Sequence, residues 1–261
     1  VGSDAMSAEF DTVAEWTAEV ARDLGPAYRV PAGCRGSGNP AALDWLIERL
    51  GLRAGEILLD CGAGVGGPAA YARERLPVRP VLVEPEAGAC RAASSLFGYP
   101  TLQGSADALP LADESVDAAW CLGVLCTMRA HTAVLAELRR VVRRPGRIGL
   151  LVFVAQQKQL AAADRPEGNH FPTPASLRGS LTAAGLSVDA RLQTSELPAI
   201  PDDWQTRVTR VEQELSNRHS GDPAWETAER QSAQMGDLLS AGLITGQVLS
   251  LRRADDQRGG K

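Results

Sequence analysis

At 261 residues, 44% hydrophobic and 23% charged, the chain is long enough to bury one large core, or a core with a lid, without disulfides or metals. Its net charge of −5 argues against a nucleic-acid partner, which usually demands a basic footprint, and no apolar run approaches the roughly 18 residues that span a membrane. The cysteines, at 34, 61, 90, 121 and 126, are an odd, scattered set without C-x-x-C spacing. That pattern argues against a zinc site and for buried, reduced thiols in a cytoplasmic protein.

Val1–Ala5, ahead of Met6, read as an appended leader, and no basic segment followed by an apolar stretch marks a secretory signal. Phe10, Val13, Val20 and Leu24 keep helical spacing, so an amphipathic helix opens the chain. Glycines and prolines then predict a loop from Gly25 to Gly38. Asn39 and Pro40 suit an N-cap and first helical position, Leu43, Leu46, Ile47 and Leu50 an apolar face, and Gly51 a C-cap. Ile57–Leu59 form a strand that runs into Asp60 and a glycine cluster, with a helix from Pro68 to Glu74. Val81–Val83 form the second strand, ending on Glu84, and a helix covers Ala87–Phe97. Further strands are expected at Thr101–Gln103, Val116–Leu122, Arg147–Val154, Leu186–Leu192 and Gln247–Leu251. Helices are expected at Thr132–Arg143 and from Thr173–Pro174 to Gly185. The basic Arg139, Arg140 and Arg143 suit a helix C-terminus and are given no other role. This alternation predicts a parallel, doubly wound α/β sheet. Two segments break it: a loop over Ala155–Phe171, and two helices over Pro201–Ala241. Trp204, Val208, Val211 and Leu215 give the first of these helices an apolar stripe expected to pack onto the sheet, and the pair is a candidate roof for a substrate pocket.

The glycine cluster admits two readings. Gly62, Gly64 and Gly67 fit the dinucleotide pattern G-x-G-x-x-G. Asp60, Gly62, Gly64 and Gly66 fit D/E-x-G-x-G-x-G. Glycine supplies a tight turn and close backbone approach in either case. Asp60 separates them, because it would repel a dianionic pyrophosphate but suits a ligand bearing an ammonium and a sulfonium. Glu84, about twenty residues on, is placed to accept ribose hydroxyls, a device shared by both ligand types. The bland reading of Glu84 is a solvated acid at a strand end.

The stretch Gly104-Ser105-Ala106-Asp107-Ala108-Leu109-Pro110, the Ser115-Val116-Asp117 step and the Arg144-Pro145-Gly146-Arg147 turn, in this order after the glycine cluster, resemble class I S-adenosylmethionine-dependent methyltransferases of the small-molecule type. The resemblance covers about Leu43 to Leu192. It implies a Rossmann-like sheet of seven strands, mostly parallel with the last antiparallel, with helical N-terminal and inserted lid segments. Residues 6–38 would be a helix and loop over the cofactor, 39–200 the core, 201–241 the insertion, 242–255 the last strand and 256–261 a tail. S-adenosylmethionine would lie on Asp60, Gly62, Ala63, Gly64 and Gly66. Its ribose would meet Glu84 and Pro85, and its adenine Ser105, Ala106 and Asp107. Ser105 departs from the family, which commonly has Asp there. Cys121, Leu122 and Gly123 would flank the methionine moiety, with Arg35 pairing its carboxylate and Tyr28 lining the same side.

Methyl transfer from a sulfonium needs positioning and desolvation of the acceptor, and a base only when the acceptor keeps its proton. His170 and His131, after the fifth and fourth strands, are the base candidates. No metal is implied, and Cys126 is not needed as a nucleophile. The acceptor is expected to be a small molecule, since neither an N/D-P-P-Y nor a Pro-Cys motif of nucleic-acid methylation is present. The acceptor atom stays open between O, N, C and S, a biosynthetic role in secondary metabolism is plausible, and the oligomeric state stays open between monomer and homodimer. The rivals are an NAD-dependent oxidoreductase and a non-catalytic protein that binds an adenosyl ligand.

Overall fold

The computed structural model of the chain describes residues 4–36, 38–156, 160 and 165–255, with side chains from residue 10 onward. Parts of the expected loop over Ala155–Phe171, and the tail at 256–261, lie outside the described residues.

The chain opens with α1 (Asp4–Leu24), α2 (Pro26–Gly33) and α3 (Pro40–Leu50). Then come β1 (Ile57–Cys61), α4 (Gly67–Arg75), β2 (Arg79–Glu84), α5 (Ala87–Phe97), β3 (Thr101–Gln103) and β4 (Ala118–Leu122). The remainder is α6 (His131–Val141), β5 (Ile148–Ala155), α7 (Pro174–Ala183), β6 (Leu186–Gln193), α8 (Asp202–His219), α9 (Pro223–Ser240) and β7 (Ile244–Arg253). Local rules set several boundaries. Asn39 caps α3 by accepting from the Ala42 amide at 3.1 Å, and Gly51 closes it at φ 63°. Thr173 and Ser176 form a reciprocal capping box at the start of α7.

The seven strands lie in the order β3-β2-β1-β4-β5-β7-β6. Strand β1 pairs in parallel with both β2 and β4, and β7 runs antiparallel to both β5 and β6. The chain winds outward from β1 through β2 to β3, then crosses back to β4 on the other side of β1. This reversal makes the carboxyl ends of β1 and β4 the topological switch point, where open α/β sheets bind ligands.

Strand side chains alternate between two covered faces. Leu58, Ala118, Trp120 and Leu122 pack under α3 and α4 with Leu43, Leu46 and Tyr71. Leu59, Cys61, Ala119 and Cys121 pack under α6 and α7 with Leu135, Leu138 and Leu177. All five residues of β4 are buried, which explains its unbroken apolar run.

The N-terminal region and the insertion depart from expectation. The stretch expected as a loop from Gly25 to Gly38 holds the helix α2, with Pro26 in its first turn. Its seating depends on a distant contact: a Cβ on Gly67 would lie 2.1 Å from the Gly33 carbonyl carbon, so two glycines let α2 settle on the start of α4. Phe10, placed by its spacing on a buried face, is 45% exposed. Helices α8 and α9 do not pack mainly on the sheet. Val211, Leu215, Trp225 and Ala228 join Val13, Ala18 and Val20 of α1 in a separate cluster, so α1, α8 and α9 form a second layer with its own core. The Trp16 ring stacks on His219 at 3.8 Å, which accounts for that histidine structurally. Trp204, at the other end of α8, meets the edge of the Tyr71 ring at 5.8 Å.

Candidate functional site

The glycine loop leaves β1 at Cys61 and enters α4 at Gly67. Gly62, Gly64 and Gly66 have φ of 71°, 52° and 86°, a left-handed region that side chains with a Cβ rarely adopt. The amides of Gly62 and Ala63 both donate to the Val83 carbonyl, at 2.8 and 3.2 Å, which ties the loop to β2. The three glycines do different work. A Cβ on Gly62 would strike Val124 at 2.2 Å, and one on Gly66 would strike Leu82 at 2.8 Å. A Cβ on Gly64 would meet no atom of the described residues within 4 Å, its two chain neighbours aside. Gly62 and Gly66 serve packing, and Gly64 presents its backbone to open space.

Two buried carboxyl groups flank this loop. Asp60, at the end of β1, is 1% exposed, and its Oδ2 has no hydrogen-bond partner among the described residues. Burial pushes its pKa up to about 7; the Trp120 indole and the Ala69 amide beside it pull the other way, and Glu84 adds a little to the rise. Glu84 is 7% exposed. Its Oε2 accepts from the Gly64 amide at 2.8 Å and its Oε1 from the Glu86 amide at 3.2 Å. Burial raises its pKa to about 7 against those two hydrogen bonds. Glu84 is therefore not a solvated acid at a strand end, since it fastens the glycine loop. Pro85, next to it, accepts from the Gln103 side chain at 3.0 Å.

The segment after β3 lies beside Glu84, with the Gly104 amide donating to the Glu84 carbonyl at 3.0 Å. Ala106 is buried. The Ser105 hydroxyl donates to Asp107 Oδ1, so these two residues act as a pair. Reading the sequence alone missed what holds this segment. Arg140 donates to the carbonyls of Leu111 at 2.7 Å and Leu109 at 3.0 Å, and Glu137 accepts from the Leu109 amide at 2.7 Å. Arg143 pairs with Asp117 at 3.0 Å, and Asp117 in turn accepts from the Ile57 amide at 2.7 Å. Arg140 and Arg143 thus have positions to hold, and are more than counter-charges at a helix end. The one local trace of this was the i,i+3 spacing of Glu137 and Arg140. Arg140→Ala should loosen the segment and cost about 1.5–3 kcal/mol, the range for hydrogen bonds to a charged group. Thermal unfolding of the variant checks this, and an unchanged Tm would contradict it.

The residues after α2 cross the carboxyl end of β4. A Cβ on Gly123 would lie 3.1 Å from the Gly36 carbonyl oxygen, and Gly123 has φ 78°. The Arg35 guanidinium lies 5.3 Å from the centre of the Trp225 ring of α9. Tyr28 packs against the α1–α8–α9 cluster, as does Val65 of the glycine loop. Cys121 and Leu122 are buried at the end of β4. All five cysteines are free, and all but the half-buried Cys90 are buried. Cys126 donates to the Gly123 carbonyl at 2.8 Å, and burial pushes its thiol up to about 12, which makes it a poor nucleophile.

The two candidate bases come together at the same edge. The His170 amide donates to the Cys126 carbonyl, and the His131 ring nitrogen lies 3.1 Å from the His170 carbonyl oxygen. His131 is thereby committed to the backbone. Burial, with Arg129, Arg165 and His131 nearby, lowers the pKa of His170 and favours its neutral form. Among the described residues, no group of three or more His, Cys, Asp or Glu side chains is placed to hold a metal ion, and no helix is long and apolar enough to cross a membrane.

This architecture defines a doubly wound α/β protein with a glycine loop and two buried acids at the switch point. Residues 59–150, from β1 into β5, match the family described as a methyltransferase domain. The methyltransferase GfsG of Streptomyces halstedii is 32% identical over 127 residues, a match that spans only 42% of this chain and 42% of that relative. Among solved structures, the [4+2]-cyclase SpnF has a TM-score of 0.62 at 23% identity, covering 81% of this chain and 79% of that one. The cyclopropane synthase MmaA2 of Mycobacterium tuberculosis has a TM-score of 0.66 at 16% identity, covering 82% and 83%. A geranyl diphosphate C-methyltransferase of Streptomyces coelicolor A3(2), solved with S-adenosyl-L-homocysteine, has a TM-score of 0.58 at 13% identity, covering 82% and 78%. These structural likenesses speak for the fold.

Proposed function

We propose that the chain binds S-adenosylmethionine across the carboxyl ends of β2, β1 and β4 and transfers its methyl group to a small-molecule acceptor, leaving S-adenosylhomocysteine. The observation that carries this reading is the pair of buried acids, Asp60 and Glu84, on either side of the open backbone of Gly64. A pyrophosphate over that loop would face two carboxyl groups, which disfavours a dinucleotide. An ammonium and a ribose diol suit the same two groups. The unpartnered Oδ2 of Asp60 fits a cationic ligand end.

In this reading Asp60 faces the methionine ammonium, with Arg35, Tyr28, Cys121, Leu122 and Gly123 around that end. Glu84 accepts the ribose hydroxyls beside Pro85, and the Ser105–Asp107 segment borders the adenine. Gly62, Ala63, Gly64 and Gly66 form the floor. When bound, the cofactor supplies an electrophilic methyl on a sulfonium. The chain's own work is to orient the acceptor and exclude water. In this reading His170, whose neutral form burial favours, takes a proton from an acceptor that holds one. The free thiols suit a reducing, cytoplasmic setting. A second reading, in which the chain binds an adenosyl ligand without transferring its methyl, is favoured by the likeness in fold to a protein named for a cyclisation, since one fold hosts several chemistries.

Titration calorimetry with S-adenosylhomocysteine and with NADH separates the cofactor readings: binding of NADH alone would overturn the proposal. Methyl transfer to a pooled small-molecule library separates enzyme from binder. The carboxyl groups also set a pH signature. Below about pH 4 the folded and unfolded chains both keep these protons; between about 4 and 7 only the unfolded chain releases them. The unliganded fold therefore loses stability as pH rises through that window, and holds level above it. A ligand that needs the ionised forms binds more weakly as pH falls. Affinity for S-adenosylhomocysteine should drop about tenfold from pH 8 to pH 6 for each carboxyl that must ionise, with proton uptake by buffer visible in the calorimetry. A flat profile would contradict this.

A further inference from the structure

Trp120 has no place in the reading so far, yet the sheet is built around it. It is the register partner of Asp60 across β1 and β4, and its other strand neighbour is Gly149 of β5. A Cβ on Gly149 would lie 3.3 Å from the Trp120 Cβ and 3.1 Å from Leu46, so that glycine leaves room for the large ring. Trp120 is fully buried, and its indole Nε1 has no hydrogen-bond partner among the described residues. Its neighbour across the strand pair, Asp60, has the mirror-image defect: Oδ2 is buried and equally unpartnered. The indole thus stands near enough to Asp60 to pull its pKa down, yet neither its N–H nor the carboxyl Oδ2 has a hydrogen bond of normal geometry among the described residues. For stability alone, phenylalanine would fill the same layer without burying an unmade hydrogen bond.

We propose that Trp120 is a positioning residue for the cationic end of the cofactor: its indole N–H engages the Asp60 carboxylate when that group ionises against the ligand ammonium. This rests on the cofactor reading above. A hydrogen bond to an ionised acceptor is roughly twice as strong as one to a neutral group, so the donor favours the charged, ligand-binding form of Asp60. The other groups around Asp60 cannot substitute. The Ala69 amide already lies against it, Glu84 repels its charge, and the thiols of Cys34 and Cys61 are driven to stay protonated, in part by Asp60 itself.

The test is a double-mutant cycle with S-adenosylhomocysteine as the titrant. Trp120→Phe should weaken binding about tenfold in the parent protein and less than twofold in an Asp60→Asn background. The pH at which affinity falls should move upward in Trp120→Phe, because the carboxylate has lost a donor. Site-specific replacement of Trp120 by benzothienylalanine, which keeps the ring volume and lacks the N–H, should reproduce both effects if the phenylalanine variant folds poorly. Equal losses in both backgrounds, an unmoved pH midpoint, or full affinity with benzothienylalanine would each overturn the proposal. A parent protein that fails to bind S-adenosylhomocysteine would instead overturn the cofactor reading.

Discussion

Gly64→Val is expected to abolish binding of S-adenosylhomocysteine while leaving a folded protein. Gly64 sits at φ 52°, where a residue with a Cβ costs about 1–2 kcal/mol, and a β-branched one more. Set against a typical folding free energy of about 5–15 kcal/mol, that lowers Tm without unfolding the chain. Apart from its two chain neighbours, no atom of the described residues lies within 4 Å of the new Cβ, so the side chain stands where a ligand must approach the backbone. Gly67→Ala is the contrasting control. Its methyl would lie 2.1 Å from the Gly33 carbonyl carbon, so the damage falls on the seating of α2. Circular dichroism with calorimetry distinguishes the two outcomes. If Gly64→Val binds within threefold of the parent, the backbone does not approach the ligand at Gly64.

Glu84→Ala should weaken cofactor binding about ten- to a hundredfold, the equivalent of 1.5–3 kcal/mol for charge-assisted hydrogen bonds. Part of that loss is indirect. Glu84 already accepts from the amides of Gly64 and Glu86, so the alanine variant also releases the glycine loop and should melt at a lower temperature. Glu84→Gln separates the contributions. Its amide keeps one oxygen acceptor for the loop but turns a donor toward the second amide, and it removes the charge. The glutamine variant should therefore lose affinity nearly as fully as alanine while its Tm falls less. It should also show a shallower pH dependence of binding between pH 6 and 8, since one titrating carboxyl is gone. Unchanged affinity in both variants would remove Glu84 from the ribose role.

The features that depend on neighbours in the chain were legible from the sequence. Asn39 with Pro40, Gly51, and Thr173 with Pro174 mark helix ends through local hydrogen bonds and backbone preference, and they stand where expected. Period-two and period-3.6 patterns placed all seven strands and the helices from α3 onward to within a few residues. The order of Asp60, the glycines and Glu84 was enough to put two acids and a turn at adjacent strand ends, because β1 and β2 must pair in parallel.

Only the tertiary structure decided the rest. Helix α2 was hidden because glycine and proline signal a break locally, whereas its position depends on Gly33 meeting Gly67, far along the chain. The α8 and α9 stripes showed that these helices bury a face, but the partners turned out to be the N-terminal helices α1 and α2, since periodicity carries no address. Arg140 became the clasp of the segment after β3 only once Leu109 and Leu111 came within 3.0 Å of its guanidinium. Asp60 and Glu84 stood out as acids at strand ends, but Trp120 was an ordinary letter inside β4 until folding buried all three. Sequence determined which groups the chain possesses and in what order. Burial and register, which are properties of the packed sheet, decided which of them were left with unmade bonds.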